Sequence, residues 1–84
     1  MRMRSIAPME ARSETPRVVM TGREDVLIEQ HAGLFSYETK CIRVRTKAGL
    51  MTVTGENLVI SYFGMQDLLI CGQVQGVQID EGVQ

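Results

Sequence analysis

The chain contains no tryptophan, two phenylalanines, two tyrosines, one histidine and two cysteines, and carries neither lysine nor arginine after Lys47. Each scarcity removes a class of function. Two cysteines, Cys41 and Cys71, do not make a disulfide framework. Both lie inside apolar-rich runs, where a free cysteine behaves as a small buried hydrophobe. With His31 they leave a tetrahedral zinc site one ligand short unless a carboxylate joins, and no C-x-x-C or H-x-x-x-H spacing occurs. Nucleophilic catalysis would need one of these thiols paired with His31 and an orienting acid behind it, and no local pattern supplies that set. A lone histidine before Gly33 reads as a surface or hydrogen-bonding residue at a turn. The glycines punctuate the chain singly and form neither a P-loop nor G-x-G-x-x-G. The expectation is a protein that is not an enzyme, with no catalytic residue, no metal ligand, no cofactor and no small-molecule substrate.

Long apolar runs are also missing. None approaches the ~18 residues of a membrane span. Met1 to Ala11 holds arginines but no apolar core of about 7–15 residues, so no signal peptide is read there. The chain is expected to be cytosolic and reduced. A length of 84 residues is one domain at most. A chain of that size buries only about 60% of its unfolded surface, so self-association would benefit it.

What is present is alternation. Lys40 to Tyr62 (KCIRVRTKAGLMTVTGENLVISY) holds three runs of alternating apolar and polar residues, separated by Lys47-Ala48-Gly49 and Gly55-Glu56-Asn57. Alternation bounded by such breakers marks half-buried β-strands joined by tight turns. Upstream, Arg17 to Thr21 and Val26 to Glu29 read as strands around a Gly22–Asp25 turn, and Leu34 to Tyr37 follows a break at His31-Ala32-Gly33. Downstream, Leu68-Leu69-Ile70-Cys71 is the most continuously apolar run and reads as a strand buried on both faces. Gly72 to Ile79 then alternates, placing Gln73, Gln75 and Gln78 toward solvent or a paired edge. No window shows a capped helical face. The expected fold is a single all-β domain of about eight short, mostly antiparallel strands, a meander or roll that is barrel-like or solenoid-like. It spans 16–80, between a flexible tail over 1–15 and a short tail over 81–84.

Net charge is −1, which gives no global case for nucleic acid or anionic lipid. The distribution is uneven. Lys40, Arg43, Arg45 and Lys47 fall within one strand and its turns, whereas Glu56, Asp67, Asp80 and Glu81 are the charges that follow. Such polarity is either a solvated strand face or a surface for complementary docking of a second copy or a partner. The candidate interaction residues are Arg23, Arg43, Arg45 and Lys47 on the positive side, with Asp67, Asp80 and Glu81 on the negative. The uncharged glutamines near the C-terminus leave a sheet edge with few guards against pairing. An alternative is a small β-barrel binding single-stranded nucleic acid, with Phe35 and Tyr37 as stacking platforms beside Arg43, Arg45 and Lys47. Against it, Phe35 and Tyr37 share parity on one strand, as core residues would, and the C-terminal half is acidic. Nucleic acid is therefore not the expected partner.

Taken in order, TGREDVLIEQHAGLFSYE, IRVRTKAGLMTVTGENLVI and LLICGQVQGVQI resemble the YabP/YqfC family of sporulation proteins, nearest its YqfC-like branch. The resemblance runs from Pro16 to Ile79. It rests on Gly22-Arg23, on Ile28-Glu29 ahead of His31 and Gly33, on the Thr46-to-Gly55 spacing, and on Gly72 and Gly76. It implies a mother-cell protein of an endospore-forming bacterium, cytoplasmic and peripheral at the forespore-enclosing membrane. The implied partner is an integral-membrane sporulation protein such as a YqfD-like one. It implies no catalytic residue. The combined expectation is a self-associating, non-enzymatic assembly or adaptor factor, a homo-oligomer that also docks a membrane partner.

Overall fold

The structure is a computed structural model and describes residues 15–80. Most of the tail expected over 1–15, and all of that expected over 81–84 with Glu81, lie outside the described residues. Strands β1 (Arg17–Thr21), β2 (Asp25–Glu29), β3 (His31–Glu38), β4 (Cys41–Thr46), β5 (Gly49–Phe63) and β6 (Asp67–Asp80) account for the described secondary structure. They form one sheet in the order β1-β2-β6-β5-β4-β3, and every neighbouring pair is antiparallel.

The all-β expectation holds, but the strand count and the closed shape do not. The runs on either side of Gly55-Glu56-Asn57 belong to one 15-residue strand, and those on either side of Gly72 belong to one of 14 residues. Six strands therefore replace about eight, and no ladder joins the edge strands β1 and β3, so the sheet is open rather than a barrel or solenoid. The break expected at His31-Ala32-Gly33 falls one residue earlier, at Gln30, whose φ is 65°.

Where turns were expected, the long β5–β6 ribbon turns a corner instead. Its register shifts between Thr54 and Gly55 and again between Glu56 and Val59, and Asn57 sits at φ 54°. Two glycines make the corner possible. A Cβ on Gly55 would collide with the Gln73 carbonyl, and one on Gly72, at φ 139°, would meet Asn57 O at 2.6 Å. The amides released at the bend are taken by hairpin turns. Gly55 N–H donates to Lys40 O (3.1 Å) and Leu58 N–H to Thr39 O (2.8 Å). Gly72 N–H donates to Glu24 O (3.0 Å) and Val74 N–H to Arg23 O (2.8 Å). A bend that left these buried-side amides unpaired would cost about 1–3 kcal/mol for each.

The corner divides the sheet into two wings. In the first, β1, β2, the N-terminal half of β6 and the C-terminal half of β5 align two inward rows, Val18–Ile28–Leu68–Phe63 and Met20–Val26–Ile70–Ile60. In the second, β3, β4 and the remaining halves of β5 and β6 align Leu34–Val44–Met51–Ile79 and Tyr37–Ile42–Val53–Val77. Val26, Ile28, Ile42, Val44, Val53, Leu58, Leu68 and Ile70 are all 0% exposed, and one cluster holds residues of both wings. A flat sheet without helices leaves both faces wet, so the wings cover each other. Thr15, Pro16 and Val18 of the first wing accordingly line a groove with Met51, Val77 and Ile79 of the second. Leu58 fills the inside of the bend between them.

Candidate functional site

Folding the wings inward turns their other faces to opposite sides of the molecule, and those two faces differ in chemistry. On the second wing, alternation along β4 sends Ile42 and Val44 into the core and leaves Arg43 and Arg45 exposed. Arg43 stands between Ser36 and Thr52, and Arg45 beside Leu50, whose other neighbour is Asp80. Lys40 and Lys47 are exposed in the turns at either end of β4. Phe35, expected either in the core or as a platform, is 47% exposed. A register shift between Leu34 and Ser36 makes it an extra, bulged residue. The Arg45 guanidinium lies over its ring at 4.8 Å. Stacking of this kind holds the guanidinium plane while leaving its edge donors free to face outward. Tyr37, although also 47% exposed, lies opposite Ile42 on the inward side of the wing and does not join this face.

The first wing presents something the sequence pattern did not announce. Its outward rows are Arg17–Glu29–Asp67, then Val19–Leu27–Leu69–Tyr62, then Thr21–Asp25–Cys71–Val59. The middle row is apolar across all its strands, and among the described residues no layer covers it. Tyr62 is 58% exposed and Val59 50%, with Val19, Leu27, Leu69 and Cys71 half-buried by their neighbours. Leu68 to Cys71 therefore is not buried on both faces: Leu68 and Ile70 are in the core, while Leu69 and Cys71 lie on this open face. The rim is acidic, with Asp25, Glu29 and Asp67 against Arg17, whose guanidinium pairs with Glu29 at 3.6 Å. That pair is exposed enough to contribute little to stability.

The remaining sequence candidates scatter. Arg23 sits in the exposed β1–β2 turn, where its carbonyl, not its charge, ties down Val74. Asp67 opens β6 on the acidic rim, and Asp80 closes β6 on the basic wing, so the two acids do not form one patch. Arg43 and Arg45 do share one side, and Lys47 is exposed in the turn that follows them.

His31 is held by structure. Gly33 N–H donates to its Nδ1 at 3.0 Å, which leaves Nε2–H to donate to Gly64 O at 2.8 Å, and its ring lies 5.3 Å from that of Phe63. Its own N–H donates to Gln66 O, pinning the start of β3 to the β5–β6 turn. Cys41 lies at the far end of the β3–β4 hairpin, opposite Glu38, while Cys71 Sγ accepts from Ser61 Oγ at 2.9 Å. Among the described residues no three His, Cys, Asp or Glu side chains converge on a point that a metal ion could occupy. What the described residues present is two outward faces of different chemistry, one apolar with an acidic rim and one carrying exposed arginines.

Comparison with known proteins gives a consistent answer. The model of the YabP family matches residues 12–84. The chain is 30% identical over 74 residues to an uncharacterized protein, YqfC, of Bacillus subtilis (strain 168), covering 88% of this chain and 80% of that one. No solved structure matches it.

Proposed function

Because the chain belongs to the YabP family, we propose that it is a sporulation protein that works without catalysis, as a self-associating assembly or adaptor factor. It acts in the mother-cell cytoplasm at the forespore-enclosing membrane, beside an integral-membrane partner of the YqfD-like kind. Family membership supports the sporulation role. The observation that carries the adaptor role is the outer face of the first wing, where an apolar row of four strands is rimmed by charge and left uncovered by the described residues. An apolar patch with a polar rim is how protein-binding surfaces are built. The test is deletion of the gene from an endospore-forming host. Growth should be normal and spore formation blocked, with recovery on return of the wild-type gene. Undiminished spore numbers would overturn the reading.

A second reading is favoured by one observation: Phe35 is exposed against Arg45, with Arg43 on the same face. Such a surface can stack bases of a single strand. A labelled oligonucleotide that shifts at low salt and is released as salt rises supports it, and no shift at low salt removes it.

A further inference from the structure

The assembly reading leaves open which surfaces meet. Resting on that reading, we propose that the apolar, acid-rimmed face of the first wing docks onto the basic face of the second wing of another copy, head to tail.

Charge decides the pairing. The first wing's outer face sets Asp25, Glu29 and Asp67 against Arg17, so two such faces brought together would oppose like charges around their apolar centre. In either simple two-fold stacking of this face, one with the axis across the strands and one with it along them, Glu29 comes to lie over a carboxylate of the other copy. Like-charge juxtaposition of this kind costs enough to exclude a pairing. The second wing's outer face carries Arg43 and Arg45, with Lys40 and Lys47 at its ends, against Glu38 and Asp80 on the same face, and this excess of positive charge suits it to the acidic rim better than to itself. Joined to each other, the faces complement. Phe35 and Leu50 supply apolar surface for the Val19–Leu27–Leu69–Tyr62 row, and Arg43 and Arg45 reach the carboxylates of its rim. Stacking on Phe35 holds the Arg45 guanidinium with its donors outward before a partner arrives, which lowers the ordering cost of the contact.

Geometry sets the consequence. The two faces lie on opposite sides of one molecule, so each copy that docks brings a fresh basic face with it. A heterologous contact of this kind closes into a ring or continues as an open stack, and does not stop at two copies. The first wing's face spans four strands by five residues, roughly 14 by 17 Å at ordinary strand spacing and rise. That is smaller than the roughly 800 Å² per partner of a stable interface, so each contact is weak and the assembly dissolves on dilution.

The experiment uses two variants, each with one face destroyed at exposed positions. Val59→Glu/Tyr62→Glu spoils the apolar face, and Arg43→Glu/Arg45→Glu spoils the basic one. Circular dichroism melts establish that both fold; if either loses its cooperative melt, Tyr62→Ser and Arg45→Gln take their places. Light scattering on the full chain then reads the mass. Wild type should form higher oligomers, each variant alone should be monomeric, and an equimolar mixture should form a pair and grow no further. An Arg43→Glu/Arg45→Glu protein that still dimerises while the other variant does not would mean that the first wing meets its own copy. That overturns the head-to-tail contact, as does a mixture that stays monomeric. A wild-type oligomer untouched by either variant overturns the contact and leaves self-association standing, whereas a monomeric wild type overturns both.

Discussion

Gly72 and Gly76 are indistinguishable in the sequence pattern, four residues apart in an alternating run, yet the fold predicts opposite outcomes for replacing them with alanine. At Gly72 the backbone holds φ 139°, and an added Cβ would lie 2.6 Å from Asn57 O and 2.9 Å from Leu58 Cα. Both obstacles are backbone atoms of the neighbouring strand, so no side chain can swing aside. The strained dihedral costs about 1–3 kcal/mol. Forcing the corner open adds the cost of overpacking, again about 1–3 kcal/mol. Gly72→Ala should therefore lose about 4 kcal/mol, a large part of the roughly 4–13 kcal/mol available to a domain of this length. For a domain this small that corresponds to a fall in Tm of roughly 15–30 °C. At Gly76 the added Cβ meets only Thr54 Oγ1, at an ordinary 3.5 Å. Gly76→Ala should be neutral or gain up to about 1 kcal/mol, because glycine inside a strand gives up more conformational freedom on folding than alanine. Thermal melts followed by circular dichroism, with urea titrations for the free energies, read both variants. Gly72→Ala melting within a few degrees of wild type, or Gly76→Ala falling as far, would refute the corner.

Three further substitutions probe the same frame. Leu58 is 0% exposed and fills the inside of the bend, so Leu58→Ala should cost about 2–5 kcal/mol in urea titration, as cavity formation does; its exposed neighbour, as Val59→Ala, should change stability by less than about 0.5 kcal/mol. His31→Ala removes both the Gly33-to-Nδ1 and the Nε2-to-Gly64 hydrogen bonds and should lower stability by about 1–3 kcal/mol. Amide exchange should quicken first at Gly33 and in the 64–67 turn, and unchanged exchange there would contradict the structural role given to this histidine.

Much of the fold was legible in local pattern. Ile42 and Val44 on β4, with Met51 and Val53 on β5, alternate as expected and all enter the core. The eight-strand count failed at Gly55-Glu56-Asn57 and at Gly72 for a physical reason. Glycine and asparagine mark positive φ or close backbone approach, and a reversal and a corner ask the same of those residues. What makes this a corner is pairing from far along the chain: the carbonyls of Thr39 and Lys40 receive β5, and those of Arg23 and Glu24 receive β6. Equal parity grouped Phe35 with Tyr37, but the bulge between Leu34 and Ser36 puts Phe35 out of phase with Tyr37 and against Arg45.

The basic face could be read directly, since Arg43 and Arg45 lie on one strand. The apolar face could not, because Val19, Leu27, Leu69 and Tyr62 become neighbours only through the register of four strands. Its one local sign was the unbroken apolar run from Leu68 to Cys71. A strand with no polar face is buried twice or is waiting for a second cover, and sequence alone does not choose between them.

Self-association is central to the proposed function, and light scattering coupled to size-exclusion chromatography tests it directly, over a dilution series at low and high salt. It predicts a mass above that of the 9.4 kDa chain at high protein concentration, falling on dilution and falling further as salt screens the Arg43 and Arg45 contacts. A single 9.4 kDa species at every concentration and every salt would contradict it.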